Sequence, residues 1–212
     1  METRAIEVKS KANPKISIKV IPGHFATNHS HVNFYIDLTK LKTCHKYAKL
    51  VAAELAKQYL GTQIDTVICM ENTEVIAAFF AEEISSISNS VNSGKEINII
   101  VPEYNSNNQM IFRDNIQKSV WNKNVLLMIS SATTGKTINR SLECIQYYSG
   151  NIAGIAAIFS AIDATPTDIP ICSVFDTEDI PEYRSYLYSQ CPSCKNKNKI
   201  DAIVNSYGYS KI

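Results

Sequence analysis

Several things are missing from this chain, and each absence removes a class of protein. No apolar run approaches the roughly 18 residues that a membrane helix needs, so no membrane-spanning segment is expected. Neither charge sign dominates. The formal net charge is +1 over 212 residues, which leaves no electrostatic basis for nonspecific nucleic-acid binding or for docking on an acidic membrane. Residues 1–15 are polar and lack the apolar core of a signal peptide, so the expected compartment is the cytoplasm. The six cysteines suit that compartment if they are mostly reduced. Cys69 and Cys172 lie inside apolar runs, where a free thiol behaves as a small hydrophobe. There are no internal repeats and no low-complexity linker, so residues 1–212 read as a single domain with one sizeable core.

What is present is an alternation of apolar runs and helical patterns. That pattern predicts an α/β fold with a parallel sheet. Strands are expected at 16–21, 33–36, 66–70, 97–101, 125–129, 154–159 and 171–175. Several are continuous apolar runs, as suits strands covered on both faces. Leu41, Cys44, Ala48, Val51, Ala52, Leu55 and Tyr59 share one helical face, and Gly61 is placed to stop that helix. A second helix is expected over 73–87. A third follows residue 137, with Ile138, Leu142, Ile145 and Tyr148 turned inward. Residues 102–110 and 191–199 look irregular.

The stretch 125–137, VLLMISSATTGKT, carries the most chemistry. A buried strand runs into a small-residue loop and then a helix start. Such a loop offers backbone N–H groups and hydroxyls to a phosphate, and the helix dipole favours an anion there. Three readings are open. Thr133-Thr134-Gly135 can simply cap the helix. Gly135-Lys136-Thr137 can end a nucleoside-triphosphate P-loop, but Ser130 stands where its first glycine belongs. No strand ending in a magnesium-binding Asp follows either, since 155–159 leads into Ser160-Ala161.

The third reading is a resemblance. The stretch resembles the fingerprint of the type I phosphoribosyltransferases: a hydrophobic strand, two acidic residues, then a Thr-Thr-Gly loop. A second segment, 25–37, resembles the N-terminal part of orotate phosphoribosyltransferases, and the order of elements over 22–159 agrees. The resemblance implies a phosphoribosyltransferase-like, Rossmann-like parallel sheet flanked by helices, with a small N-terminal hood. Residues 171–212 become a C-terminal extension. It implies that Ser131, Ala132, Thr133, Thr134, Gly135, Lys136 and Thr137 hold the 5′-phosphate of a phosphorylated ribose or nucleotide. It also implies that Phe34 and Tyr35 lie against the base, where the bland alternative is two core residues of a strand. A homodimer, and magnesium brought with a phosphoribosyl ligand, are further implications.

The chain departs from the family's pattern at three places. The acidic pair that holds the ribose hydroxyls falls on Ile129 and Ser130. An isoleucine accepts no hydrogen bond, and a serine is a neutral substitute. The pyrophosphate loop reads Glu71-Asn72-Thr73-Glu74, whose carboxylates would repel a polyanion but suit a helix N-terminus. Residues 102–110 supply no basic side chain before Arg113, which is expected at the surface. The expected function is therefore binding of a 5′-phosphorylated ribose or nucleoside monophosphate, with transferase activity weak or lost. Alternatives are an active phosphoribosyltransferase with an atypical site, or a protein-interaction domain that kept only the fold.

Near the C-terminus, Cys191-Pro192-Ser193-Cys194 is a C-x-x-C, whose spacing lets two thiolates grip one metal. A zinc site wants four ligands, and there is no second C-x-x-C. Cys44 with His45, or His29 with His31, are the candidates to complete it. A redox pair and two ordinary thiols are the alternatives.

Overall fold

The continuous apolar runs become the strands of a central sheet. Thr66–Cys69 is buried along its whole length and Asn124–Ala132 along nearly all of it. Five strands run parallel in the order Ile171–Phe175, Asn151–Ser160, Asn124–Ala132, Thr66–Cys69, Asn98–Ile100. Because successive residues of a strand face opposite ways, the sheet feeds two cores. Val67, Cys69, Leu126, Met128, Ala156 and Ile158 belong to one, and Ile68, Val125, Leu127, Ile129, Ile155 and Ala157 to the other. The computed structural model describes residues 2–107, 109–165 and 168–212.

Helices His45–Ala56 and Glu74–Ser86 cover the first face through Val51, Leu55, Ile76 and Phe80. Helix Lys136–Tyr147 covers the second through Ile138, Leu142 and Ile145. The single helix expected from Leu41 to Tyr59 is in fact broken. Thr39–Thr43 ends where Cys44 turns extended (φ −107°, ψ 114°), and a 3-10 turn, Lys57–Tyr59, follows His45–Ala56. Helix Glu74–Ser86 is pinned to the sheet at its start, where the buried Thr73 hydroxyl faces the carbonyls of Met70 and Met128 at 2.9 and 3.2 Å.

A second sheet forms the hood. Its order is Ser185–Tyr186, His31–Asp37, Ser17–Ala26, Ala202–Asn205, Gly208–Lys211, with Ile6–Lys9 also paired along Ser17–Ala26. The hood is therefore not built from the N-terminal part alone. Ala202 and Val204 are buried while Ile203 and Asn205 point out, so this short alternating strand completes the sheet by docking parallel to Phe25 and Ala26. Ser206 and Tyr207 make the hairpin turn that follows, with Asn205 Oδ1 accepting from the N–H groups of Tyr207 and Gly208.

The two stretches that look irregular in sequence carry local order. Glu103–Tyr104 pairs antiparallel with Met110–Ile111; Asn108, within that segment, lies outside the described residues. Within 191–199, Pro192–Lys195 forms one helical turn, with proline at its start. Among the described residues no helix is long and apolar enough to cross a membrane.

Candidate functional site

Strand Asn124–Ala132 runs past the end of its neighbour Thr66–Cys69 and turns into helix Lys136–Tyr147. Ser131 and Ala132, expected in the loop, are its last strand residues, registered opposite Phe159 and Ser160. The turn itself is Thr133-Thr134-Gly135. Gly135 takes a left-handed conformation (φ 71°), which costs a residue without Cβ least, and it is the N-cap of the helix. No side chain caps that helix, so the threonine-cap reading is not what the structure shows. The first-turn N–H groups have no partner within the helix. Ile138 is buried and holds the helix start on the sheet, whereas Lys136 and Thr137 are exposed.

The loop opens into a cavity of about 210 Å³ between the C-terminal ends of the central strands and the hood. Chain order reverses between strands Thr66–Cys69 and Asn124–Ala132, with Asn98–Ile100 added on one side and Asn151–Ser160 on the other. Crevices at such a switch point are where open α/β sheets bind ligands. The cavity is bordered by Ile129, residues 131–137, Phe34, Tyr35 and Glu71. Val204, Asn205 and Ser206 border it from the C-terminal part of the hood, as does Tyr183. Among these lining residues Glu71 is the only acid and Lys136 the only Lys or Arg.

Glu71 is the residue that sequence reasoning misplaced. Glu74 lies in the first turn of its helix as expected, but Glu71 does not stay there. Its carboxylate reaches the fingerprint strand and accepts from Ser130 N (3.2 Å), Ser131 N (3.3 Å) and the Ser130 hydroxyl. These backbone donors lie beyond the last residue of the neighbouring strand, so a side chain satisfies them instead. Glu71 and Asn72 both adopt positive φ (58° and 63°), a conformation that is uncommon for a glutamate. Burial pushes the Glu71 carboxyl above the usual range, against the Ser130 and Ser131 hydrogen bonds and the charge of Lys42, which pull it down. Lys42 is itself buried and donates to the backbone carbonyls of Glu71 (3.1 Å) and Ser206 (2.5 Å). It thereby ties the loop at 70–73 to the hood hairpin.

No family model matches the chain. Curated relatives are orotate phosphoribosyltransferases. That of Chlorobaculum parvum is 24% identical over 192 residues, covering 89% of this chain and 90% of the relative. That of Thermoanaerobacter sp. is 24% identical over 176 residues, covering 82% and 84%. Among solved structures, Mycobacterium tuberculosis orotate phosphoribosyltransferase in complex with inorganic phosphate has a TM-score of 0.52 at 15% identity, over 70% of this chain and 81% of that one. The Aeropyrum pernix enzyme gives 0.52 at 17% identity, over 77% and 90%. The fold is that of the type I phosphoribosyltransferases.

On this phosphoribosyltransferase fold the sequence-derived site residues fall as follows. Ile129 borders the cavity, while Ser130 is fully buried and engaged by Glu71. Phe34 is half-buried and borders the cavity. Tyr35 also borders it, but only 6% of the residue is exposed and its ring packs against Phe25 and Tyr209. Arg113 is at the surface, bonded through Nε (2.7 Å) and Nη2 (2.5 Å) to Glu103 across the hairpin.

Cys191 and Cys194 meet two histidines, His24 and His31, and the four ligand atoms all lie within 4.8 Å of one another. Of the partners suggested by sequence, His31 is in this group; His29, Cys44 and His45 are not. His24 was missed because it is the eighth residue of strand Ser17–Ala26, where nothing local marks a ligand. The available signal was the hairpin itself, which folds positions 24 and 31 onto each other.

Proposed function

We propose that this chain binds a 5′-phosphorylated ribose or a nucleoside monophosphate in the hood-covered cavity, with ordinary phosphoribosyltransferase activity weak or lost. The observation that carries this reading is the uncapped helix start and its 131–137 loop opening into the cavity, while Ile129 and Ser130 stand at the acidic-pair positions. The N–H groups of Thr133, Thr134 and Thr137 and the hydroxyls of Ser131, Thr133, Thr134 and Thr137, with Lys136, take the phosphate. Ala132 and Gly135 contribute backbone and space. Phe34, with the edge of Tyr35, flanks the base. A homodimer is part of the proposal, by likeness to the orotate enzymes, and no nucleic-acid or membrane partner is.

Calorimetric titration with nucleoside monophosphates, ribose 5-phosphate and phosphoribosyl pyrophosphate tests the reading. Binding of phosphate esters without pyrophosphate release on adding nucleobases supports it. Absence of binding to every phosphate ester rejects it.

A second reading is favoured by one specific observation. The Glu71 carboxylate accepts from the Ser130 hydroxyl, so an acid stands beside position 130. On this reading the protein is an active pentosyltransferase with an atypical site. Glu71 then faces the ribose hydroxyls and is the acid to which a ligand-borne magnesium would be held. Robust pyrophosphate release with any nucleobase establishes it. Glu71→Gln should then weaken ribose 5-phosphate about ten-fold or more, the scale of a hydrogen bond to a charged group, and leave inorganic phosphate unaffected.

A further inference from the structure

We infer that His24, His31, Cys191 and Cys194 form a structural zinc site that clamps the C-terminal segment onto the hood. Three observations carry this, and none depends on what occupies the cavity.

The first is geometry. His24 Nε2 is 3.0 Å from His31 Nδ1, 3.5 Å from Cys191 Sγ and 3.6 Å from Cys194 Sγ, and Cys194 Sγ is 3.2 Å from His31 Nδ1. A tetrahedral zinc with N and S ligands at about 2.05 and 2.3 Å has N–N and N–S edges of about 3.3 and 3.6 Å. These four of the six edges lie within about 0.4 Å of those values, and all six are within 4.8 Å.

The second is proton bookkeeping. His24 Nδ1 faces the carbonyl oxygens of Asn198 (3.1 Å) and Lys199 (3.3 Å). Carbonyls only accept, so Nδ1 carries the proton and Nε2 presents its lone pair to the group. A backbone carbonyl behind a ligating imidazole is the usual outer partner of a metal histidine. Around that lone pair stand two sulfurs and a second imidazole nitrogen. As thiolates and neutral imidazoles all four atoms offer lone pairs to one point, and a single divalent cation satisfies them together.

The third is placement. His24 and His31 flank the turn of the Ser17–Ala26/His31–Asp37 hairpin, where Thr27 N and its hydroxyl both bond Ser30 O. Cys191 and Cys194 frame the single turn Pro192–Lys195, whose Lys195 N and Lys197 N bond the carbonyls of Cys191 and Cys194. Two segments more than 150 residues apart in sequence thus present two ligands each. His24, His31 and Cys191 are buried, and Cys194 closes the site from the solvent side. Thiolate and imidazole donors in a closed four-ligand set select zinc over magnesium or calcium. The metal then holds the hairpin tip, and Thr27, Asn28 and His29 of that tip border the cavity.

The test is metal analysis of the full chain purified from medium without added zinc. About one zinc per chain is expected. Cobalt substitution should give the intense visible bands and thiolate charge-transfer absorption of a tetrahedral S₂N₂ centre. Cys191→Ser and His24→Ala should each lose most of the metal, while Cys44→Ser and His45→Ala should retain it. Should a ligand variant fail to fold, chelator treatment of the unaltered protein replaces it, with a fall in melting temperature that is restored by zinc. Less than one metal per two chains, or a Cys191–Cys194 disulfide in place of metal, overturns the inference. These readouts use no phosphate ligand, so their failure is separate from failure of the binding reading.

Discussion

Glu71 concentrates the chemistry of the cavity in one side chain. Its carboxyl is raised by burial, so the native chain retains a proton over a range in which the unfolded chain has lost it. The native state then binds more protons than the unfolded one, and stability falls as pH rises from the ordinary value of 4.5 through the native pKa. Glu71→Gln should remove this slope, as read from urea midpoints measured across that range; equal slopes in both proteins would argue against it. Gly135 makes a second test at this scale. Its φ of 71° strains a β-branched residue by about 1–3 kcal/mol, so Gly135→Val should lower stability and also crowd the proposed phosphate site. Gly135→Asn separates the two effects, because asparagine tolerates the left-handed region. It should keep most of the stability and still lose phosphate-ester binding in calorimetry.

At the scale of elements, the hairpin Glu103–Tyr104/Met110–Ile111 is the clearest departure from what a transferase loop would be expected to supply. Arg113 is held by Glu103 at the surface and does not line the cavity. A solvent-screened pair of this kind contributes little to stability. Arg113→Ala should therefore change the melting temperature slightly and leave phosphate-ester affinity unchanged. A large loss of affinity would mean that the arginine leaves Glu103 and enters the site. The strand–helix joint at Gly154 is tighter than the hairpin. A Cβ there would lie 2.7 Å from Tyr59 Cε1, and the Tyr59 hydroxyl donates to Ile155 O at 2.8 Å. The 3-10 turn after helix His45–Ala56 is thereby locked to strand Asn151–Ser160.

For the whole molecule, the hood joins the two ends of the chain. Asp201 accepts from His24 N and from Arg4, and Ala202 registers opposite Phe25. Tyr209 closes on Tyr35. Ending the chain after residue 200 removes two hood strands and the wall formed by Val204, Asn205 and Ser206. The truncated protein should melt at a lower temperature and bind phosphate esters weakly, while far-UV circular dichroism still reports the central sheet and its helices. Wild-type melting and affinity in that variant would show that the hood is built without its C-terminal half.

The sequence by itself determined the parallel sheet and the strand–turn–helix joint over 124–147. Both are written in short, local patterns: apolar runs such as 125–129 that can only be buried, and a Thr-Thr-Gly turn before an amphipathic helix. The same locality made it visible that Ile129 and Ser130, and no acids, stand at the end of that apolar run. Only the tertiary structure decided where Glu71 points, that Lys42 bridges two loops, and that His24 joins His31, Cys191 and Cys194. Each of these depends on contacts between segments far apart in sequence, whose geometry is set by sheet registers and a backbone turn at positive φ. A glutamate beside a helix start has a satisfactory local role, and nothing nearby reveals that Ser130 and Ser131 offer it a better one across the sheet.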